Sequence, residues 1–290
     1  MCHFHTRLIL LNHCRGVGWK TIYMILKDDP SLEKLLAKRL EDWQNQLPHF
    51  KQNQLSLFYH DLHTINISQK MKQYEENKII VLTYFDERYP QKLKQIYNPP
   101  WVLYLKGKQS LLEETKMLAV VGVRQPSSYG QEAISRILPP LIKEGYVIVS
   151  GLAAGIDTIA HRTAIDYRGS TIAVLGGGLF HIYPKDNIGL ALHMMKEQLV
   201  LSEHPPSMKP ERWMFPLRNR LISGLSNGVL IVEAKEKSGS LITAYHALEQ
   251  GRDVFAVPGN ITSPFSVGTN QLIQEGAKLV LHANDITSEI

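Results

Sequence analysis

Short apolar runs recur along most of the chain, and glycine or a small polar residue follows nearly every one. The first strong run covers 118–123 and the next covers 146–149, with a polar segment of helical length between them. Val/Ile-rich runs without alternation are typical of strands buried on both faces, and helices between such strands predict a parallel sheet with right-handed crossovers. The stretch 118–164 therefore predicts strand, helix, strand and helix at the centre of an α/β domain.

The same alternation continues toward the C-terminus. Further strands are predicted at 171–175, 199–201, 229–232, 254–257 and 278–281. Together with the first two they make a parallel sheet of about seven strands. Two earlier runs, at 79–82 and 101–105, surround proline-rich turns, and we interpret 76–117 as a lead-in segment because Pro99 and Pro100 cannot lie inside a helix.

Residues 1–75 have a different pattern, with apolar residues at helical spacing and no strand signal. We predict several short helices that end in the polar stretch 66–76. The turn Gly16-Val17-Gly18 is similar to the hairpin of a helix-hairpin-helix or SAM-like module, whose amides can meet a phosphate. The preferred interpretation is a plain glycine turn between two packed helices, since such turns commonly use glycine. The predicted organisation is a small all-α domain, 1–75, followed by a large α/β domain, 76–290.

Composition and charge exclude several classes of protein. No apolar run reaches the roughly 20 residues of a membrane span, and the N-terminus lacks the pattern of a cleavable signal. Cys2 and Cys14 offer neither a disulfide framework nor a repeated metal-ligand spacing. The net charge of +5 permits a polyanionic partner. We expect a cytoplasmic protein without a membrane partner, a metal or a cofactor.

Glycine and small polar residues follow the predicted strands. They occupy 122–124, 150–151, 176–178, 202–203, 233–234 and 258–259. Ligands of open parallel sheets bind beyond the carboxyl ends of the strands, where glycine permits close approach and helix N-termini supply amides for an anion. The expected ligand at these loops is a phosphate.

Cations and aromatic residues lie near the same loops. Arg124 follows the first strong strand directly, and the others are Lys185, Lys209, Arg218, Arg220, Tyr183, Trp213 and Phe215. Guanidinium groups bind phosphates and aromatic rings stack on bases, so this combination favours a single-stranded nucleic acid. The ordinary alternative is that the later arginines pair with Glu203 or Glu233, and that the rings belong to the core.

No catalytic centre is predicted. Asp157 and His161 lie four positions apart on the helix after Gly155 and share a face. The sequence has no nucleophile elbow, Walker-type phosphate loop, zinc-peptidase motif or dinucleotide fingerprint. We interpret Asp157 as an acceptor for backbone amides at the helix start, with His161 as its buried hydrogen-bond partner.

These motifs, taken in order, resemble the DNA-processing protein A family, DprA or Smf, from about Tyr89 to Ala277. The residues that carry the resemblance are Val-Gly-Val-Arg at 121–124, Ser-Gly-Leu-Ala-Ala-Gly-Ile-Asp at 150–157, Ala-His at 160–161, Tyr-Pro at 183–184, Ser-Glu at 202–203, Phe-Pro-Leu-Arg-Asn-Arg at 215–220, Glu-Ala at 233–234, Ser-Gly-Ser at 238–240 and Val-Pro-Gly at 257–259. One departure is Val123, where the family usually has Ser or Thr.

The resemblance implies a Rossmann-like domain that binds single-stranded DNA, forms homodimers and loads the RecA recombinase during natural transformation, without catalysis. Single-strand-binding protein is a further candidate partner. The N-terminal helices resemble the SAM-like domain of some members, and the C-terminal winged helix of others is not expected. The DNA-binding residues that the resemblance suggests are Arg124, Lys185, Ser150, Gly151, Lys209, Phe215, Arg218, Arg220, Ser238 and Ser240.

Two other functions stay open at this point. One is a phosphoribohydrolase of the lysine-decarboxylase-like group, although the Pro-Gly-Gly-x-Gly-Thr-x-x-Glu motif of that group is missing and the nearest stretch is 238–243. The other is a sensor of small nucleotides. For the homodimer we expect the contact at apolar residues late in the chain: Leu272, Ile273, Leu279 and Leu281.

Overall fold

Five helices lie between His3 and the first strand of the computed structural model, which describes residues 3–290. They are α1 (His3–His13), α2 (Trp19–Asp28), α3 (Leu40–Gln46), α4 (Gln52–Thr64) and α5 (Ile67–Glu76). Apolar residues at helical spacing form them: on α2, for example, Ile22 and Ile25 are buried while Tyr23 faces outward. The polar stretch 66–76 also folds as a helix, α5, and is anchored by the buried ring of Tyr74.

One sheet organises the rest of the described chain. Its strands are β1 (Ile80–Thr83), β2 (Val102–Gly107), β3 (Met117–Val121), β4 (Val147–Ser150), β5 (Thr171–Val174), β6 (Leu199–Ser202), β7 (Gly228–Ile231), β8 (Asp253–Ala256) and β9 (Lys278–Leu279). Their spatial order is β1-β2-β6-β5-β4-β3-β7-β8-β9. The seven predicted strands, β3 to β9, are all parallel. The prediction of an α/β fold with a Rossmann-like parallel sheet is confirmed.

The lead-in segment is part of the same sheet and enlarges it to nine strands. β2 pairs antiparallel with β6, and β1 pairs antiparallel with β2. β2 therefore begins, and β1 ends, at the edge where the seven parallel strands end. We call this side of the sheet the carboxyl edge. The loops after the parallel strands, the loop after β1 and the segment before β2 all lie at this edge.

Helices cover both faces of the sheet. Those after β1 are α6 (Gln91–Lys94), α7 (Ser128–Lys143), α8 (Ile156–Asp166), α9 (Ile188–Glu197), α10 (Met214–Leu225), α11 (Gly239–Glu249), α12 (Val267–Gln274) and α13 (Asn284–Thr287). Apolar residues of α6, α10, α11 and α12 pack on one face, and those of α7, α8, α9 and α13 pack on the other. Within residues 3–290, every helix is too short or too polar to cross a membrane.

The N-terminal helices pack directly on the sheet. Their apolar residues form one continuous cluster with Val102, Tyr104, Ala173 and Val200 of the sheet. The Tyr104 hydroxyl also donates to Oδ1 of Asn12 at 2.8 Å. The first helices therefore share a core with the strands β2, β5 and β6. The division into domains at residue 75, and the SAM-like character of the first, stay predictions.

Candidate nucleic-acid interface

A cleft of about 1200 Å³ opens at the carboxyl edge of the sheet. Its walls are the loops after β3, β4 and β7 and the first turns of α10 and α11. The loops after β5 and β6 reach its rim with Tyr183 and Arg212. The cleft thus lies where the sequence predicted a ligand, beyond the ends of the central parallel strands.

Six of the ten predicted site residues meet in this cleft. Arg124, Phe215, Arg218, Ser238 and Ser240 line its main volume, and a recess of about 80 Å³ adds Gly151. Arg124 is exposed, and within residues 3–290 its guanidinium group forms no hydrogen bond or ion pair. It is therefore available to a ligand.

The other four predicted residues lie elsewhere. Lys185 and Lys209 are exposed on the loops after β5 and β6 but do not line the cleft. Ser150 is buried and donates its hydroxyl to the Val120 carbonyl at 2.6 Å. Arg220 is buried in an ion pair with Glu203, which is the ordinary alternative that the sequence left open. A direct DNA contact by any of the four stays a prediction.

The structure adds cations that sequence reasoning missed. Lys235 and Lys237 follow β7 and line the cleft from the loop next to that of Arg124, and Arg212 lines it from the loop after β6. All three are exposed, whereas Glu236 is the one exposed acidic residue among the described lining residues. The signal was present as Lys235-Glu236-Lys237 directly after a predicted strand end, but an alternating charge run usually indicates only a solvated loop. The mouth of the cleft is therefore positively charged.

Arg218 and Asp157 hold the floor of the cleft from two sides. Nη1 of Arg218 donates to the carbonyl oxygens of Gly151, at 2.5 Å, and of Val174. Oδ2 of Asp157 accepts from the amides of Gly151, at 3.1 Å, and of Ala153, at 3.4 Å. The loop after β4 is therefore fixed at both its N–H and its C=O groups.

Burial shifts the pKa of both groups in this clamp. It lowers the pKa of Arg218 to about 10, against the opposing effect of the nearby Asp157 carboxylate, so the guanidinium group stays charged at neutral pH. It raises the pKa of Asp157, against the favourable charge of Arg218 and the two amide hydrogen bonds. Each charge is thus tolerated inside the protein because the other is present.

Two glycines permit this tight loop. A Cβ atom on Gly151 would lie 2.3 Å from Nη1 of Arg218, so a side chain there would displace the clamp. Gly155 has φ of +81°, and a Cβ atom on it would lie 2.4 Å from the carbonyl oxygen of Val123. The glycines therefore bring the loops after β3 and β4 against each other and place Arg124 at the cleft.

Helix N-termini add partial positive charge to the walls. α8 begins after Gly155 without a side-chain cap, and α11 begins after Ser238, whose Oγ accepts from the amide of Ser240 at 3.2 Å. The amides of Ile156 and Ser240 already have acceptors within the protein, so the helix dipoles and the remaining first-turn amides attract an anion. The cleft therefore combines flexible cations with fixed backbone donors, which is a suitable environment for phosphate groups.

The predicted hydrogen bond between Asp157 and His161 is wrong. The Thr171 hydroxyl donates to the Ile148 carbonyl at 2.7 Å, so it accepts from Nδ1–H of His161 at 2.6 Å. Nε2 of His161 is buried without a hydrogen-bond partner. Asp157 instead turns toward the loop amides. Burial, reinforced by the charge of Arg218, lowers the pKa of His161 to about 3, and the ring is neutral at physiological pH.

We expect this buried histidine to make the protein acid-sensitive. The unfolded chain binds a proton at His161 below about pH 6.5, while the folded protein does not until about pH 3. The free energy of unfolding should therefore fall by about 1.4 kcal/mol per pH unit between these values because of this group alone. Urea unfolding of the wild type and His161→Asn across pH 4–7 measures the difference. Parallel curves for the two proteins would contradict a buried neutral histidine.

Comparison with known proteins agrees with the motif resemblance. The family described as DNA recombination-mediator protein A matches residues 80–290. The chain is 48% identical over 238 residues to the DNA processing protein DprA of Bacillus subtilis, covering 82% of this chain and 78% of that protein. It is 44% identical over 231 residues to DprA of Streptococcus pneumoniae, covering 80% and 79%.

Solved structures agree with the sequence relatives. The X-ray structure of DprA from Streptococcus pneumoniae matches with a TM-score of 0.85 at 38% identity and covers 98% of both chains. A structure of DprA from Helicobacter pylori, described for its single-stranded DNA binding mode, matches with a TM-score of 0.66 at 31% identity and covers 73% of this chain and 95% of that one. The chain belongs to the family of DNA recombination-mediator protein A.

Proposed function

We propose that this protein binds single-stranded DNA in the cleft and loads RecA onto incoming strands during natural transformation. The observation that carries the proposal is the meeting of exposed cations, helix N-termini and aromatic rings at one opening of the sheet. Relatives named as DNA processing proteins support a role in the processing of DNA. The Helicobacter pylori relative, described as binding single-stranded DNA, supports the ligand. The proposal places the protein in the cytoplasm, where incoming strands meet the recombinase.

The cleft suits a flexible single strand better than a duplex. Arg124 on the loop after β3 and Lys235 and Lys237 on the loop after β7 can each meet a phosphate. The exposed ring of Tyr183, which also lines the cleft, packs against Phe215, with ring centroids 5.6 Å apart, and offers a surface on which an unpaired base can stack. Duplex DNA keeps its bases stacked inside and cannot use such rings.

The proposed function involves no covalent chemistry. The two groups closest to an acid–base pair, Asp157 and His161, are both buried, and the carboxylate is engaged by backbone amides. Asp157 supports the loop after β4, and His161 hydrogen-bonds to Thr171 of β5, so neither is placed to act on a reacting atom. We therefore propose that binding and release of the strand, through several salt-sensitive contacts, is the whole activity.

Two measurements test the proposed binding of single-stranded DNA and the proposed loading of RecA. The first compares the affinity of the wild type for single-stranded and duplex DNA at two salt concentrations. The second follows RecA filament assembly on DNA that is already coated with single-strand-binding protein, with the wild type and with Arg124→Ala. We expect faster assembly with the wild type and little with the variant. If the wild type does not accelerate filament assembly, the mediator function is contradicted. If it releases a base from mononucleotides and Asp157→Ala abolishes this release, a phosphoribohydrolase function replaces the mediator function.

A homodimer is part of the proposal. Ile242, Tyr245 and Leu248 are exposed at spacings of three residues and make an apolar stripe on α11. Leu279 and Leu281 are exposed beside the sheet-edge strand β9, whereas Leu272, which the sequence suggested, is buried inside the protomer and Ile273 is partly buried. An apolar stripe near an open sheet edge is a surface that a second copy can cover.

We expect Leu248→Glu to convert the dimer into a monomer at micromolar concentration, since a charge at the centre of an apolar contact cannot be desolvated cheaply. Sedimentation velocity measures the change. Leu192→Glu on α9 is the matched control, because Leu192 is 58% exposed and Leu248 is 56% exposed. A wild type that sediments as a monomer at the same concentration would count against the dimer itself.

A further inference from the structure

Four aromatic rings outside the cleft are stacked in a row. In order they are Tyr23, Trp19, Trp101 and Phe85, with successive ring centroids 5.2, 5.5 and 6.2 Å apart and interplanar angles of 11°, 20° and 20°. We call this row the aromatic ladder. It joins α2 to the segments that flank β1 and β2, which are far apart in the sequence.

The inner rings of the ladder are fixed, and the outer rings face solvent. Nε1 of Trp19 donates to the Pro99 carbonyl at 2.8 Å, and Nε1 of Trp101 donates to the Trp19 carbonyl at 3.1 Å. In contrast, Tyr23 is 48% exposed and Phe85 is 47% exposed. Packing of the N-terminal helices explains the two tryptophans and one contact of Phe85, whose ring meets that of Phe4 on α1 in a T-shaped pair with centroids 5.0 Å apart, but about half of each outer ring stays in water. The inner faces of the row are occupied by neighbouring rings, so a base can stack on the exposed rings at its two ends.

The ladder lies at the same edge of the sheet as the cleft. Trp101 immediately precedes β2, which begins at the carboxyl edge, and Phe85 follows β1, which ends there. The strands between β2 and β3 are β6, β5 and β4. Four strand spacings of about 4.8 Å put the ladder roughly 20 Å from the loop that carries Arg124.

Exposed cations occupy the interval between the two sites. The loop after β6 carries Lys209, with Arg212 of the same loop at the cleft rim, and the loop after β5 carries Lys185. These are the loops of the two strands nearest to β2 on the way to the cleft. Lys94, on the ladder side, has its Nζ 5.4 Å from the ring centroid of Tyr84, the neighbour of Phe85. These cations alternate with the exposed acids Asp186, Glu211 and Glu87, so the edge offers separate cationic positions that a phosphate backbone can follow from the cleft to the ladder.

We propose that the aromatic ladder is a second contact for the same DNA strand, on which bases stack after the strand leaves the cleft. The inference rests on the proposed function, since it takes single-stranded DNA as the occupant of the cleft. It also gives a role to Lys185 and Lys209, which lie outside the cleft lining: they bind phosphates of the connecting nucleotides. The strand is held by charge along the edge and by stacking at its end.

The test uses the two exposed rings, because they can be removed without disturbing the fixed tryptophans. We expect Tyr23→Ala/Phe85→Ala to weaken binding of an oligonucleotide of about 16 nucleotides by about tenfold or more, and to leave binding of one of roughly 6 nucleotides unchanged. Tyr167→Ala is the control, since Tyr167 is 49% exposed but follows α8 at the opposite edge of the sheet. It should bind both lengths as the wild type does.

A comparison of a normal strand with a partly abasic strand separates the contribution of base stacking from that of phosphate charge. In a modified strand of about 16 nucleotides, the bases are kept at one end and removed from all other positions. This strand keeps every phosphate but lacks the bases that would reach the ladder. The wild type should bind it about as weakly as the double variant binds the normal strand, and the double variant should not distinguish the two strands. If the double variant binds the long normal strand as tightly as the wild type does, the inference is overturned, and the ladder makes no contact with the strand. Failure of the wild type to bind any single strand would overturn the proposed function as well.

Discussion

Arg218→Met is expected to lower the free energy of unfolding by about 3–5 kcal/mol, the cost of leaving a buried charge without its partner. The substitution keeps an unbranched apolar chain as far as the position of Nε but removes both hydrogen bonds from Nη1 to the Gly151 and Val174 carbonyls, and it leaves Asp157 buried without a positive neighbour. Urea unfolding monitored by circular dichroism measures the loss. The cleft floor should also loosen, since the same guanidinium group holds the loop after β4.

A second substitution tests the physical reason for this loss. Asp157→Asn in the Arg218→Met background removes the stranded charge and should recover part of the lost stability, so that the two effects are strongly non-additive. Arg212→Met is the control, because Arg212 is exposed on the cleft rim and its loss should change stability by less than about 0.5 kcal/mol. Additive effects of the substitutions at 157 and 218 would show that the two charges do not depend on each other.

The strands could be predicted because their signal is local. Runs such as 118–121 and 147–149 are apolar on both faces, and only a strand in a covered parallel sheet buries every side chain in this way. The sequence predicted β1 and β2 as strands, but it predicted neither their antiparallel direction nor the pairing of β2 with β6. Direction depends on pairing with a strand about a hundred residues later, and no local pattern specifies that partner.

The site was predicted less completely, since a sequence does not show which way a side chain points. Arg124 and Arg218 each follow an apolar residue, Val123 and Leu217, and both reach the cleft, yet one is exposed and the other forms its floor. Arg220, two positions after Arg218, points away to Glu203. The aromatic ladder escaped notice for another reason: its two tryptophans are separated by 82 positions and meet only because α2 packs against the segment before β2.

The largest effect on DNA binding is expected from Arg124→Gln/Lys235→Gln/Lys237→Gln. These cations lie on the loops after the adjacent strands β3 and β7, so the triple variant removes phosphate contacts from both loops while leaving the buried clamp intact. Each lost contact on single-stranded DNA should lower the slope of log K against log salt by about 0.7, or about 2.1 for the three. At about 0.15 M salt this corresponds to an affinity loss of roughly 50-fold.

The control for this variant must lose the same charge at a different place. Lys143→Gln/Arg168→Gln/Lys196→Gln also removes three positive charges, from exposed residues near the ends of α7, α8 and α9, at the edge of the sheet opposite the cleft. It should keep the wild-type salt slope and lose little affinity, because charges beyond about 10 Å from the strand are screened at this salt concentration. Fluorescence anisotropy titrations at four salt concentrations give both slopes. Equal losses in the two variants would mean that net charge, and not the cleft, attracts the strand, and the assignment of the cleft as the DNA site would then be withdrawn.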